Sequence, residues 1–200
     1  MKRNGQTRSV GRKGRFTHGL YPAASAALLE TDLRRLIKSP TLVADRLELQ
    51  GGERVLEIGA GGGYYSQSVA KRLPKGILIC QDIQLEMLER LTANFKNNNT
   101  RLPLTFCSDA EHIPLTSNSC DVVFMVTVLG EVHNAMNVLR ESFRILELGG
   151  RLSIGEQRTD PDFISRGKLI EMACAAGFTL EKTYGWFWNY TANFVKASAN

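Results

Sequence analysis

VLEIGAGGGYYSQSVA, residues 55–70, sets four glycines within five positions, between an apolar run and a helix-like segment. Glycine inside a helix or strand costs about 0.5–1 kcal/mol relative to alanine. A cluster here therefore implies a tight turn or a ligand that approaches bare backbone. Working outward, short apolar runs alternate with amphipathic segments. Strands are expected at 54–58, 76–80, 102–107, 121–128 and 151–155, and helices at 64–73, 85–95, 135–146 and 164–176. The run DVVFMVTV (121–128) is the most continuously apolar, as for a strand covered on both faces. Gly149 and Gly150 read as the stop of the helix before them.

This alternation predicts an α/β fold: a doubly wound, mostly parallel sheet of seven strands. Two final strands, 178–184 and 190–196, leave no room for a crossover helix, so they must run antiparallel near the C-terminus. In such sheets ligands bind at the carboxyl ends of the strands where strand order reverses, usually after the first strand. The glycine run occupies that position.

Two hundred residues at 43% hydrophobic suit one domain with a proper core. No apolar run approaches a membrane span, and the basic N-terminus is not followed by a signal-like apolar stretch, so the expectation is a soluble, cytoplasmic protein. The net charge of +5 is uneven. Residues 1–15 hold six Lys or Arg and no acid, which leaves 19 basic against 20 acidic side chains elsewhere. Residues 1–17 thus read as a basic leader too polar to order itself, with contact to anionic lipid or RNA as the sharper alternative. Residues 18–50 read as N-terminal helices forming part of a substrate lid. Within them, Leu28, Leu29, Leu33, Leu36 and Ile37 mark a helix over 23–38, and a second is expected over 41–49. Residues 51–200 form the main body. Cys80, Cys107, Cys120 and Cys174 show no C-x-x-C spacing and read as buried reduced thiols, and three scattered histidines make a metal site unexpected.

A dinucleotide fingerprint, G-x-G-x-x-G, fails here. Counted from Gly59 its sixth position is Tyr64, and counted from Gly61 it is Ser66. The pattern present is E-x-G-x-G-x-G: Glu57, Gly59, Gly61, Gly63. A carboxylate beside the loop suits an ammonium or sulfonium better than a pyrophosphate. Glu57–Gly63 resembles motif I of the class I S-adenosylmethionine (SAM)-dependent methyltransferases. The resemblance extends to Asp82, 19 residues beyond Gly63, and to Asp109-Ala110 within DAEHIP. It also takes in ESFRILELGGRLSI, where Leu148 replaces the usual proline. It implies SAM as cofactor and S-adenosylhomocysteine as product. Glu57, Gly59, Ala60, Gly61 and Gly63 would then meet the amino-acid end, and Asp82 the ribose hydroxyls, which one carboxylate can accept from together. Asp109, Ala110 and Ile83 would meet adenine, and Thr127 would stand at the end of the fourth strand.

Several acceptor classes are marked down. Val128-Leu129-Gly130-Glu131 stands where base-amine methyltransferases carry [DN]-P-P-[YF]. Cys120 precedes the fourth strand rather than following it, and neither a paired-glutamate loop nor a convincing acid cluster for a metal appears. What remains resembles the subgroup acting on small molecules, quinones or lipids. Its acceptor pocket would draw on Phe16, His18 and Tyr21, on Leu129–His133, and on 157–163. His133 and Glu131 are the candidate proton acceptors, since histidine titrates near neutrality. YGWFWNY (184–190) reads either as a packed hairpin or as an apolar wall or membrane-facing tip, and peripheral membrane contact stays open. An RNA-directed methyltransferase using the leader, and an inactive SAM-binding module acting through a partner, remain alternatives.

Overall fold

The computed structural model describes residues 39–197. The leader, the helix expected over 23–38, and Phe16, His18 and Tyr21 lie outside the described residues. Seven strands form one sheet in the order β3-β2-β1-β4-β5-β7-β6. They are β1 (Arg54–Ile58), β2 (Ile77–Asp82), β3 (Leu104–Cys107), β4 (Cys120–Val126), β5 (Leu146–Gln157), β6 (Phe178–Trp186) and β7 (Asn189–Lys196). β1 pairs in parallel with both β2 and β4, so strand order reverses between β1 and β4. β7 runs antiparallel to both β5 and β6. The doubly wound architecture with antiparallel C-terminal strands is as expected.

The five described helices are α1 (Pro40–Arg46), α2 (Ser66–Ala70), α3 (Leu85–Asn97), α4 (Ala135–Ile145) and α5 (Arg166–Ala175). Strand residues alternate between the sheet faces, as the period of two demands. Leu56, Ile58, Val123 and Met125 pack with Val138 and Leu139 of α4 and with Leu169 and Ala173 of α5. Val55, Val122 and Phe124 pack on the other side with Val43 of α1, Val69 of α2, and Leu91 and Phe95 of α3. Away from the cavity, Arg54 grips Asp121 through its backbone N–H (2.7 Å) and its guanidinium (2.9 Å), and it also meets Glu147. That guanidinium holds the Asp121 carboxyl below its usual range.

Several boundaries differ from expectation, for identifiable reasons. α2 is half the expected length. Gly63, at φ 84°, begins a turn before it, while Arg72 and Leu73 close its far end with i→i−3 bonds before Pro74. β4 stops two residues early because Thr127 takes φ 53°. α4 ends at Ile145, ahead of Gly149 and Gly150, which fall inside the longer β5. Cys80 and Cys120 are buried, but Cys107 on edge strand β3 and Cys174 on α5 are exposed.

Candidate functional site

The glycine run bends around three left-handed positions, Gly59, Gly61 and Gly63, at φ 68°, 54° and 84°. They are not equivalent. A Cβ on Gly59 would stand 2.4 Å from Val128 Cγ2, and one on Gly63 would stand 2.9 Å from Leu91 Cγ. Internal packing thus demands those two. Around a Cβ on Gly61 no atom of another described residue beyond its chain neighbours lies within 4 Å, and that position opens into a cavity. Tight packing and room for a close visitor are found at different glycines.

The carboxyl end of β2 holds the loop in place. Gly61 N–H donates to Asp82 Oδ2 at 2.8 Å, Gly59 N–H to Gln81 Oε1 at 3.2 Å, and Ala60 N–H to the Gln81 carbonyl at 2.9 Å. Gln81 also donates through Nε2 to the Ser108 carbonyl, joining the glycine loop to the segment that carries Asp109. Asp82 Oδ1 accepts from Gln84 N–H at 2.9 Å. Each Asp82 oxygen therefore carries one described bond, and a carboxylate has about four lone-pair sites, so capacity remains for two hydroxyls.

Glu57 is 2% exposed, at the floor of the loop. It accepts from Ser66 Oγ, and Cys80 Sγ lies 3.8 Å from the same Oε2. Burial pushes its carboxyl up to about 8, opposed by the Ser66 hydroxyl and reinforced by the nearby Asp82 charge. Burial likewise raises the Cys80 thiol. A buried acid with two weakly polar neighbours has much to gain from a cation.

The cavity measures about 1060 Å³, at or above the upper end of the roughly 300–1,000 Å³ usual for small-molecule sites. Glu57, Gly59, Ala60, Gly61, Gly63, Asp82, Ile83, Asp109, Ala110, Thr127, Glu131 and His133 all line it. Ile83 is 46% exposed and offers an apolar wall. Asp109 closes its own turn, Oδ1 accepting from Glu111 N–H at 2.9 Å. Glu111 then receives Asn134 N–H at 2.7 Å and Asn137 Nδ2 at 3.0 Å, tying the Asp109 turn to the start of α4. Thr127 is β-branched at positive φ, a conformation of order 1–3 kcal/mol in strain. Its N–H donates to the Gly155 carbonyl at 2.8 Å. This bend sets Val128 against Gly59 and carries the following loop along the cavity wall.

Other expectations shift. Leu129, expected on the acceptor side, is 1% exposed in the core, because the Thr127 bend points it inward. Residues 157–163 do not line the cavity but adjoin it: a Cβ on Gly130 would meet the Asp162 carbonyl at 1.9 Å. Ser39 and Pro40, entering α1, do line it. Gln81 and Glu111 went unread in the sequence, since their roles depend on pairing across strands and loops. Among the described residues no His, Cys, Asp and Glu cluster could hold a metal, and no helix is long and apolar enough to cross a membrane.

A methyltransferase-domain family model matches residues 56–154, from β1 through most of β5. The chain is similar to a malonyl-[acyl-carrier protein] O-methyltransferase of Marinomonas sp., 30% identical over 105 residues, covering 52% of this chain and 38% of that protein. It is also similar to a demethylmenaquinone methyltransferase of Lactobacillus johnsonii, 30% identical over 120 residues, covering 58% and 49%. The chain thus spans half or less of these relatives' length. In fold it resembles a SAM-dependent methyltransferase from Aquifex aeolicus at TM-score 0.81 and 19% identity, covering 89% of this chain and 100% of that one. Family match, strand order and the position of the cavity agree, and the chain belongs to the class I SAM-dependent methyltransferases.

Proposed function

We propose that this protein transfers the methyl group of SAM to a quinone, a lipid or another small molecule, or to an acyl group held on a carrier. The observation that carries the reading is one continuous cavity. It joins the glycine loop and its carboxylates to Glu131 and His133. SAM supplies an electrophilic methyl on a sulfonium, and the protein's part is to orient, desolvate and, where the acceptor requires it, take a proton.

In this reading the open face of Gly61 admits the amino-acid end of the cofactor. Glu57 faces its cationic groups, and Asp82, already fixed by two backbone N–H groups, accepts from the ribose. Asp109 accepts from the adenine amino group, with Ile83 and Ala110 against the ring. Thr127 and Val128 set the depth of the methyl end. His133, on the exposed rim, and Glu131 stand where an acceptor proton would leave. Ser39 and Pro40, on the wall, close one side of the site. The relatives that act on demethylmenaquinone and on malonyl-acyl carrier protein support an acceptor of that kind.

The test offers radiolabelled SAM with demethylmenaquinone, malonyl-acyl carrier protein and a small-phenol panel. Label transfer to one of these, reduced by His133→Ala or Glu131→Gln, is the expected result. Tight SAM binding without transfer to any would favour a non-catalytic binding module.

A further inference from the structure

Outside the cavity the most unusual surface is the β6–β7 turn. Trp186, Phe187 and Trp188 are 71%, 58% and 47% exposed, whereas the other aromatic rings among the described residues are buried or half-buried. The two indoles stack at 5.9 Å, and Phe187 meets Trp188 edge-on at 4.6 Å, so the three rings form one apolar cap. Beneath it lies a second cavity of about 470 Å³, lined by Arg158, Phe163, Ser165, Arg166, Gly167 and Phe187. Arg158 and Arg166 are the two charged residues among those lining it, and Asp160 and Asp162 lie in the same loop as Arg158. Arg158 N–H donates to the Trp188 carbonyl at 2.7 Å, fixing this loop to the tip.

Register places the cap. Gln157 at the end of β5 pairs with Asn189, and Trp186 pairs with the same residue. The tip therefore lies at the carboxyl end of the parallel strands, where β2 ends at Asp82 and Thr127 follows β4, and the loop beneath it adjoins Gly130 at the Asp162 carbonyl.

Building on the methyl-transfer reading above, we propose that the β6–β7 tip seats the cavity mouth on an anionic phospholipid surface, from which the acceptor is drawn. Tryptophan favours the membrane interface, where its ring leaves water while the indole N–H stays wet, and phenylalanine adds apolar surface that buries into the same boundary. Guanidiniums take phosphate in a bidentate fork. A free phosphate would engage Arg158 and Arg166 but leave three rings in water; a bilayer satisfies both. A convex three-residue tip also falls short of the roughly 800 Å² per partner that stable protein interfaces bury. The six basic residues within 1–15 add charge of the same complementary sign.

The chain has two tryptophans, and both are at the tip, so intrinsic fluorescence reports on it directly. Full-length protein is mixed with phosphatidylglycerol–phosphatidylcholine vesicles, with phosphatidylcholine vesicles, and with inorganic phosphate. The expected result is a blue shift, quenched by bromine-labelled lipid, with anionic vesicles and none with phosphate. Co-sedimentation should fall on the order of 10-fold in Trp186→Ser/Phe187→Ser/Trp188→Ser. Arg158→Gln/Arg166→Gln should erase the preference for anionic over neutral vesicles. The melting temperature of each variant, and its rise with S-adenosylhomocysteine, should match wild type; should the triple variant fail this control, Phe187→Ser and the arginine pair decide.

Vesicle binding with unshifted tryptophan emission, or a triple variant that folds and sediments like wild type, would overturn the proposal and assign binding to the leader. Self-association through the tip without lipid binding would overturn it too. Because S-adenosylhomocysteine binding is measured separately, failure here leaves the methyl-transfer reading standing, and failure there leaves this result intact.

Discussion

The two sides of the cavity are built in different ways. On the cofactor side, backbone and side-chain bonds converge over a few residues: Gly59, Ala60 and Gly61 donate to the end of β2, and Gln81 reaches on to Ser108. Its carboxylates are buried or fixed by bonds within the protein. On the acceptor side, a strained Thr127 starts a loop held at a distance by Glu111, and the adjoining surface ends in three exposed rings. A cofactor common to a whole family rewards a preorganised cradle, because little ordering is left to do on binding. An acceptor that differs among relatives is met by loops, whose sequence can change without disturbing the sheet.

The comparison breaks most visibly at Gly59. Gly59→Val would drive a side chain into Val128 at positive φ, and we expect a loss of about 3 kcal/mol or more in denaturant unfolding. Val128→Ala in the same chain should return part of it, and no return would place the cost in the backbone alone. Next in size is Asp82→Ala. It strips the Gly61 and Gln84 N–H groups of their acceptor, and weakening of S-adenosylhomocysteine by about 1–3 kcal/mol, roughly 5- to 150-fold, is expected by calorimetry.

Glu57 gives a pH signature peculiar to the cofactor side. Its carboxyl moves from 4.5 to about 8 on folding, so the folded chain holds a proton that the unfolded chain releases. That contribution to stability is complete below pH 4.5 and disappears as pH rises through 8. Chemical unfolding between pH 6 and 9 should show a falling stability that Glu57→Gln flattens. SAM binding near neutrality should release a proton, read as a dependence of calorimetric heat on buffer ionisation enthalpy. The smallest effect on the cofactor is expected at the far wall. His133→Ala should change S-adenosylhomocysteine affinity by less than about 2-fold, while any acid–base contribution to turnover, typically 10²–10⁴-fold, would appear in kcat. A large affinity loss would move His133 to the cofactor side.

What the sequence disclosed follows the same division. Alternating apolar runs and the spacing Glu57–Gly63, Asp82, Asp109 are local patterns, and every one of those residues lines the cavity. The residues that stayed hidden act through distant pairing. Gln81 is an unremarkable polar residue near a strand end until the glycine loop folds back upon it. Glu111 matters because α4 begins opposite it. Thr127 looked like strand, since threonine favours strands and its neighbours are apolar; the bond to Gly155, from the next strand, accompanies the bend. Leu129 was misplaced for that reason alone. For the aromatic turn 184–190 the sequence offers a packed hairpin and an exposed tip as alternatives, and the exposure of Trp186, Phe187 and Trp188 decides between them.

The most direct measurement titrates S-adenosylhomocysteine calorimetrically into the wild-type chain and into Gly61→Leu, whose added side chain meets no atom of the other described residues at its Cβ and enters the space assigned to the cofactor. Saturable one-site heat in the first and none in a second that still unfolds cooperatively is the predicted result. Equal affinity in the two, or no saturable heat in the wild type, would contradict it.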